Sequence, residues 1–266
     1  MNTSPTVSSP LAMLLVNGVA VAEYQSGSCV AAEFTPRPFL HPIRTLGGVV
    51  VTDTEPPDHL WHLGAGFAIP DINGINLWGG PTFATPDGYR WRGDHGRITH
   101  VRFDRRAADG FIQRLRWLAP NGEELLTERR IVTADAHTAT AWRLRLTTEL
   151  TAARRVRLAS PAANGRTGAG YGGFFWRLPR TAAPRVTTAI GIGETVHGTT
   201  STWLEWDDTT AGFALRFETD ESARDPWFVR LADYPGVGLA LASPAALHLP
   251  VGETVCRSVT VTIADR

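Results

Sequence analysis

Histidine side chains are concentrated in the first hundred residues of the chain. Five of the eight histidines lie there, and the other three are scattered further along. Imidazole donates or accepts a proton near neutral pH, so neighbouring histidines can supply both the acid and the base of a reaction. We therefore expect the functional site to be built from this early part of the chain, which contains His41, His59, His62, His95 and His100.

The segment 58–62 holds the strongest candidates for catalysis. We predict that His59 and His62 form an acid/base pair, with Asp58 orienting one imidazole and raising its basicity. The two histidines are three positions apart, which places them on opposite faces of a strand but allows them to converge in a turn. His95 is a further catalytic candidate.

Arginine and aromatic side chains near these histidines suit the recognition of a polar small molecule. A guanidinium group binds oxygen atoms through paired hydrogen bonds, and an aromatic face covers an apolar ring surface. Prolines on both sides of His41 stiffen that segment, and the glycines around Tyr171 suit a loop that closes over a pocket. The predicted substrate-binding residues are His41, Arg44, Arg97, Trp61, Trp78 and Tyr171.

A metal site is a second use for clustered histidines. Histidine and aspartate together bind zinc or iron. The spacing matches no specific signature, because the sequence contains no His-Glu-x-x-His motif. We therefore predict no metal and no cofactor, and a bound transition metal stays open as an alternative.

The charge composition excludes several classes of protein. All 26 basic residues are arginine, so Schiff-base, pyridoxal-phosphate and Walker-type phosphate chemistry, which need a lysine, are excluded. The 26 acidic residues balance them, and no net charge attracts nucleic acid or an anionic membrane. We predict a small-molecule partner, with no nucleic acid and no membrane, and leave a homo-oligomer open.

Alternation of apolar and polar residues predicts β-strands along the whole chain. It is clearest over residues 142–150, 213–218 and 255–263, whereas helical spacing is almost absent. The Asn-Gly pair in segment 119–123 predicts a hairpin turn. We expect about 14–18 strands, and this many strands require two large antiparallel sheets packed face to face. The predicted fold is all-β with few or no helices, as a single β-sandwich domain over residues 1–266.

Two cysteines and the N-terminal segment carry less information. Cys29 and Cys256 lie near opposite ends of the chain; two buried thiols are favoured over a disulfide, which stays open. The first residues contain no basic region, and the apolar run 11–22 is too short to span a bilayer. A cytoplasmic protein is expected.

Several motifs resemble a bacterial family labelled methane oxygenase PmoA, or PmoA-like. They are Arg-Pro-Phe-Leu-His-Pro-Ile-Arg-Thr at 37–45, Asp-His-Leu-Trp-His-Leu-Gly at 58–64 and Pro-Asp-Ile-Asn-Gly-Ile-Asn-Leu-Trp-Gly-Gly at 70–80. The later segments His-Gly-Arg-Ile at 95–98 and Asp-Pro-Trp-Phe-Val-Arg at 225–230 are also similar. The second motif often reads Asp-His-Pro-His-His in that family, and Leu60 and Trp61 depart from it here. This departure disfavours a metal cage and makes Trp61 a stacking surface.

The resemblance implies a two-sheet fold similar to the galactose mutarotase-like supersandwich, and a place in carbohydrate metabolism. A membrane oxygenase is not expected, since the chain has no spanning segment. The predicted function is a carbohydrate-active enzyme that uses histidine acid/base catalysis on a sugar, an oxidised (keto) sugar or a glycoside. It would act as an epimerase, a lyase or a hydrolase. The alternatives are a non-catalytic sugar-binding module and a metal-dependent oxygenase or isomerase with histidine ligands.

Overall fold

The computed structural model describes residues 9–182, 184–219 and 225–266. Antiparallel strands dominate these ranges, together with two short 3₁₀ helices at Ala32–Phe34 and Gly193–Val196. In chain order, the strands are β1 (Ala12–Val16), β2 (Val19–Gln25), β3 (Phe39–Ile43), β4 (Ala65–Ile72), β5 (Ile75–Leu77), β6 (Thr82–Ala84), β7 (Gly88–Arg90), β8 (Arg97–Ala107), β9 (Gly110–Leu118), β10 (Glu124–Thr138), β11 (Ala141–Ala152), β12 (Val156–Ala159), β13 (Gly173–Arg177), β14 (Arg185–Thr188), β15 (Gly191–Ile192), β16 (Trp203–Asp208), β17 (Phe213–Glu218), β18 (Trp227–Arg230), β19 (Gly236–Ala240), β20 (Leu247–Leu249) and β21 (Thr254–Asp265).

The described strands form two large sheets and one small hairpin. The first sheet has the order β1-β2-β3-β4-β13-β19-β18, with β5 and β12 also paired to β4, and β20 paired to β12. The second sheet has the order β15-β14-β16-β17-β21-β11-β10-β9-β8. Strands β6 and β7 pair only with each other in this part of the structure. The predicted all-β class with two large antiparallel sheets is confirmed.

The central strands of the second sheet follow the alternation in the sequence. Every second residue of β11 points into the core between the sheets, because successive side chains of a strand point to opposite faces. The buried set is Trp142, Leu144, Leu146, Thr148 and Leu150, as predicted. The indole Nε1 of Trp142 donates to the backbone oxygen of Arg44 at 2.8 Å, which ties the second sheet to the end of β3.

The turn between β9 and β10 also agrees with the prediction. Ala119 N donates to Glu123 O at 2.9 Å, and Gly122 N donates to Ala119 O at 2.9 Å. Gly122 has a φ of +86°, a left-handed conformation that glycine adopts without steric cost. The Asn-Gly pair therefore sits where its backbone preference is needed.

Strand β13 is buried on both of its faces, and the two faces belong to different apolar clusters. Phe174 and Trp176 belong to the main core between the two sheets. Phe175 packs in a separate cluster with Trp78, and Arg177 follows on the same side of the strand. The first sheet therefore covers the main core with one face and carries a second, smaller cluster on the other.

Strand β18 repeats this arrangement at the end of the same sheet. Trp227 and Val229 enter the main core, whereas Phe228 joins the smaller cluster. The alternation places Arg230 on the side of Phe228. Two separate strands of one sheet thus each present an aromatic ring and a guanidinium group on the face away from the second sheet.

The main core also contains a buried ion pair. Arg130 Nε donates to Glu128 Oε1 at 2.7 Å, and both side chains are fully buried. Trp117 Nε1 and Thr148 Oγ1 donate to the same carboxylate, and Arg130 Nη1 donates to Tyr24 Oη at 3.0 Å. A buried charge is tolerated when it is paired and hydrogen-bonded in this way.

Two expectations from the sequence are wrong. The described residues contain 21 strands rather than 14–18, because several strands of two to four residues, such as β15, are too short to show alternation. Cys29 and Cys256 are both exposed and are not joined by a disulfide. Cys29 lies in a loop, and Cys256 lies on the face of β21 opposite to the buried Val259.

No helix in the described ranges is both long and apolar enough to cross a membrane.

Candidate functional site

A cavity of about 420 Å³ opens over the smaller cluster on the outer face of the first sheet. Its volume lies within the range of roughly 300–1,000 Å³ that is typical of small-molecule sites. Five residues singled out from the sequence line it, namely His59, Trp61, His62, Trp78 and Tyr171. Nine further lining residues were not predicted as site residues: Gly79, Pro81, Tyr89, Arg166, Ala169, Phe228, Arg230, Asp233 and Tyr234.

The two central histidines converge because their segment is folded into turns. His59 N donates to Pro56 O at 2.9 Å, and His62 N donates to His59 O at 2.9 Å. The two imidazole rings stack with their centroids 4.5 Å apart and 12° between their planes. Of the two geometries that a spacing of three allows, the chain adopts the turn.

His62 is held in its neutral form. Burial lowers its pKa well below the usual value, and the nearby His59, Arg177 and Arg37 lower it further. Arg177 Nη1 donates to His62 Nδ1 at 3.4 Å. A guanidinium group can only donate, so Nδ1 acts as an acceptor and Nε2 carries the proton. At neutral pH this imidazole is therefore uncharged, with Nδ1 facing Arg177.

The net pKa of His59 lies below its usual value, although Asp58 acts to raise it as the sequence suggested. Burial lowers the pKa of His59, and the opposing attraction of Asp58 is too weak to reverse this. Asp58 Oδ2 lies 3.6 Å from His59 Nδ1, which is longer than a hydrogen bond. Both carboxylate oxygens instead accept from Arg177 Nη2 at 3.1 Å. Partial burial acts to raise the pKa of Asp58, but Arg177 more than offsets this, and the pKa lies below its usual value.

Arg177 is the main residue that the sequence reasoning missed. Its side chain is 1% exposed and contacts Asp58, His62 and Tyr234, with Cζ 5.2 Å from the centre of the tyrosine ring. It lies beneath the cavity and fixes the turn that carries both histidines. The signal in the sequence was an arginine at the end of the apolar run 173–176, where an isolated charge must find a partner.

Arg37 supports the same turn from the opposite side. Its side chain is buried, and its guanidinium donates to the backbone oxygens of Phe34, Thr35 and Trp61, the last at 2.8 Å from Nη2. Burial lowers the pKa of Arg37 to about 9. The contact with Trp61 joins the segment before β3 to the turn between the two histidines.

Aromatic rings form a continuous wall around the cavity. The ring of Trp78 lies 6.0 Å from His62 and 4.9 Å from Tyr171, measured between centroids. Tyr171 lies 5.9 Å from Phe228, and Tyr234 lies 4.5 Å from His59. Such faces cover the C–H surfaces of a sugar ring.

The turn that presents Trp78 is organised by Asn76. The Oδ1 atom of Asn76 accepts from the backbone nitrogens of Trp78 and Gly79 at 2.9 and 2.8 Å. Its Nδ2 atom donates to Gly80 O at 3.1 Å and to Thr82 Oγ1 at 2.9 Å. Gly79 and Gly80 have φ values of +100° and +71°, so this turn depends on glycine.

His95 lies behind the wall and does not line the cavity. Its Nε2 donates to Gly80 O at 2.7 Å, and its side chain is 4% exposed. It therefore supports the turn of Trp78. The sequence placed it among the catalytic residues, and the structure gives it a contact with the backbone instead.

Three other candidates from the sequence also lie outside the cavity. His41 Nδ1 contacts Thr52 Oγ1 at 2.9 Å, and burial lowers its pKa. Arg44 lies after the end of β3, where it forms a bridge with Val50. Arg97 begins β8 in the second sheet. These three residues were predicted because they lie close to His59 and His62 in the sequence. In the folded chain they do not line the cavity that contains the two stacked histidines.

The described residues include no group of three or more His, Cys, Asp and Glu side chains placed to hold a metal ion.

Comparison with known proteins places the chain in a family. Among solved structures it is similar to an Escherichia coli K12 protein described as a "Putative aldose 1-epimerase", with 12% sequence identity and a TM-score of 0.42. That match covers 96% of this chain and 98% of the other. No curated protein matches the sequence. A family model matches residues 12–266, so the chain belongs to DUF6807, a family of unknown function.

Proposed function

We propose that this protein is an enzyme that transfers protons on a small carbohydrate, with His59 and His62 as the acid/base pair. One observation carries the proposal: two stacked imidazoles, both with lowered pKa, line a cavity with aromatic walls. A neutral imidazole is the form that can accept a proton at neutral pH.

The lining of the cavity favours a carbohydrate as the substrate. The aromatic rings would cover the apolar faces of a sugar ring, and the polar groups at the rim would bind its hydroxyls. Burial raises the pKa of Tyr171 and of Tyr234, so both phenols keep their protons and act as hydrogen-bond donors at neutral pH. Such donors would stabilise an oxygen atom that becomes negative during the reaction.

Among the reactions expected from the sequence, epimerisation and elimination fit these groups best. One imidazole would remove a proton from a carbon next to the carbonyl of an oxidised (keto) sugar, and the electron pair would move onto the carbonyl oxygen. Return of a proton from the imidazolium formed in this step to the opposite face of the carbon completes an epimerisation. In a lyase reaction the imidazolium instead gives its proton to a neighbouring leaving group as the bond from carbon to that group breaks. Glycoside hydrolysis usually needs two carboxylic groups. Of the described lining residues, Asp233 alone carries one.

A non-catalytic sugar-binding module is the second candidate, because aromatic walls by themselves also bind sugars. Solvent deuterium exchange separates the two. The protein would be incubated in D₂O with fructose, keto-gluconate, galactose and nitrophenyl glycosides, and the C–H signals followed by NMR. We expect exchange next to a carbonyl in the wild type.

The variants His59→Asn and His62→Asn should each reduce exchange by about 10²–10⁴-fold. His137→Asn serves as the control, since His137 is exposed and does not line the cavity. Binding without exchange would support the binding module. Release of nitrophenol without exchange would support a hydrolase.

A further inference from the structure

We propose that the cavity binds a carbohydrate with an anionic group, a carboxylate or a phosphate, and that Arg166 and Arg230 bind this group. The inference rests on the proposed function and adds the charge of the substrate to it. Both arginines line the cavity on a part of the wall that is separate from the turn of the two histidines.

Arg230 is held in place by neutral groups. Its Nη1 donates to Val229 O and its Nη2 donates to Gly168 O, both at 2.9 Å. Its Cζ lies 4.5 Å from the centre of the Phe228 ring. Backbone oxygens and an aromatic face orient a guanidinium group but do not neutralise its charge. The cation is therefore preorganised at the cavity wall.

Arg166, the second arginine of the proposed site, lies on the loop 160–172. Its Cζ is 4.5 Å from the centre of the Tyr89 ring, and Tyr89 Oη lies 3.1 Å from Tyr171 Oη. The loop is joined to Arg230 through Gly168, which also accepts a hydrogen bond from His197 Nε2 at 2.8 Å. The two guanidinium groups therefore belong to one connected region.

Within the described ranges, neither guanidinium lies within 4.0 Å of a carboxylate oxygen. Glu194 is close enough to Arg230 for its pKa to respond. Its Oε1 atom, however, accepts from the backbone nitrogens of Leu231 and Ala232 at 2.7 and 3.0 Å. Among the described residues, no carboxylate therefore pairs directly with either guanidinium group.

The balance of charge on the cavity wall points to an anion. The positive charge of Arg177, beneath the cavity, is paired with the carboxylate of Asp58. Of the described lining residues, Arg166 and Arg230 are cations and Asp233 is an anion, so the wall is positive while both imidazoles are neutral. Guanidinium groups bind carboxylate or phosphate oxygens in paired, charge-assisted hydrogen bonds. A neutral sugar would leave this capacity unused.

The aromatic wall connects this region to the imidazoles. Ring contacts run from Phe228, under Arg230, through Tyr171 and Trp78 to His62. A sugar whose anionic group is bound by the arginines would lie along these rings, with its other end toward His59 and His62. Binding of the anion would thus position the reacting carbon.

Calorimetric titration with galactose, glucuronate and a glucose phosphate tests the proposal. The proteins are the wild type, Arg166→Gln, Arg230→Gln and the double variant. Arg143→Gln is the matched control, because Arg143 is exposed on the second sheet. We expect at least one of the two anionic sugars to bind about tenfold or more tightly than galactose, with a preference that weakens as salt is added. Which one is preferred identifies the anionic group.

The double variant should lose this preference and bind anionic and neutral sugars equally, and the control should keep it. Arg166→Gln is the safer single change, since Arg166 is exposed and its guanidinium donates no hydrogen bond to the backbone among the described contacts. Equal binding of all three sugars by the wild type would overturn the proposal. A preference that persists in the double variant would overturn it as well.

The arginine site can still be tested if the proposed carbohydrate function is wrong. If no sugar binds, the same titrations with acetate and inorganic phosphate still measure the anion site. Anion binding that the double variant lacks would keep the arginine site and reject the carbohydrate. No anion binding by the wild type would reject the arginine site itself.

Discussion

Arg177 Nη1 lies 3.4 Å from Nδ1 of His62, and both side chains are almost completely buried. The same guanidinium binds both oxygens of Asp58 through Nη2. Protonation of His62 would bring two cations together in a desolvated place, so the neutral imidazole is strongly favoured. This contact determines how the site should respond to pH and to substitution.

Stability should fall when the solution becomes acidic. The pKa of His62 in the folded protein lies well below its ordinary value of 6.5, so the unfolded chain binds more protons between the two values. The free energy of unfolding should therefore be constant above about pH 7 and decrease below about pH 6.5.

Thermal melting between about pH 5 and pH 8 measures this effect. His62→Asn should show a shallower decrease than the wild type. Some decrease should remain, because burial also lowers the pKa of His41, His59 and His197. An identical pH dependence in the variant would show that His62 is not the buried neutral group described here.

Removal of the charge of Arg177 should raise the pKa of His62. In Arg177→Gln, burial would still disfavour the imidazolium, but the repulsion by the guanidinium would be absent. An NMR titration of the imidazole signals measures the change directly. Arg180→Gln is the control, since Arg180 also binds Asp58 but is exposed. An unchanged pKa in Arg177→Gln would contradict the electrostatic role of Arg177.

A methyl group at Gly80 should displace Trp61 from the cavity wall. A Cβ atom there would lie 2.4 Å from Cδ2 and Cε2 of the Trp61 indole, and the residue has a positive φ. We expect Gly80→Ala to lower the free energy of unfolding by about 2–4 kcal/mol. Tryptophan fluorescence and sugar affinity should change with it.

Gly252→Ala is the matched control for this clash. Gly252 has a φ of +82°, and no atom lies within 4 Å of an added Cβ. Urea unfolding should show a loss of about 1–2 kcal/mol from backbone strain alone. Equal losses in the two variants would mean that Trp61 can move away without cost.

Breaking the buried ion pair in the core should destabilise the protein. Arg130→Met leaves Glu128 as a buried, unpaired carboxylate, and such changes cost about 3–5 kcal/mol. The double variant Glu128→Leu with Arg130→Met removes both charges and should be less destabilised than the single variant. Urea unfolding checks the order of the three proteins. A double variant that is less stable than Arg130→Met would contradict this explanation.

The strands and one turn could be predicted because they depend on local properties of the chain. Alternation along β11 reports which side chains enter the core, since neighbouring side chains of a strand point in opposite directions. The turn at Gly122 follows from the freedom of glycine at positive φ. The shortest strands were missed because two to four residues cannot show a period of two.

The candidate site could be predicted only in part. The types and spacing of His59 and His62 indicated a pair, but the spacing allowed both a strand and a turn. Trp61, Trp78 and Tyr171 were predicted to bind substrate, and they line the same cavity as that pair. His95 and Arg97 were expected there because they are close in sequence, yet one supports a turn and the other starts a strand of the second sheet.

The amino-acid sequence by itself determined the all-β class and the early segment that carries the two stacked histidines. The tertiary structure alone decided which residues complete the cavity. Arg177, Arg230 and Tyr234 lie more than a hundred positions beyond His62, and they reach it because β13 pairs with β4 and β19, and β19 with β18. Pairing of distant strands is a long-range property, and no local pattern of residue types specifies it.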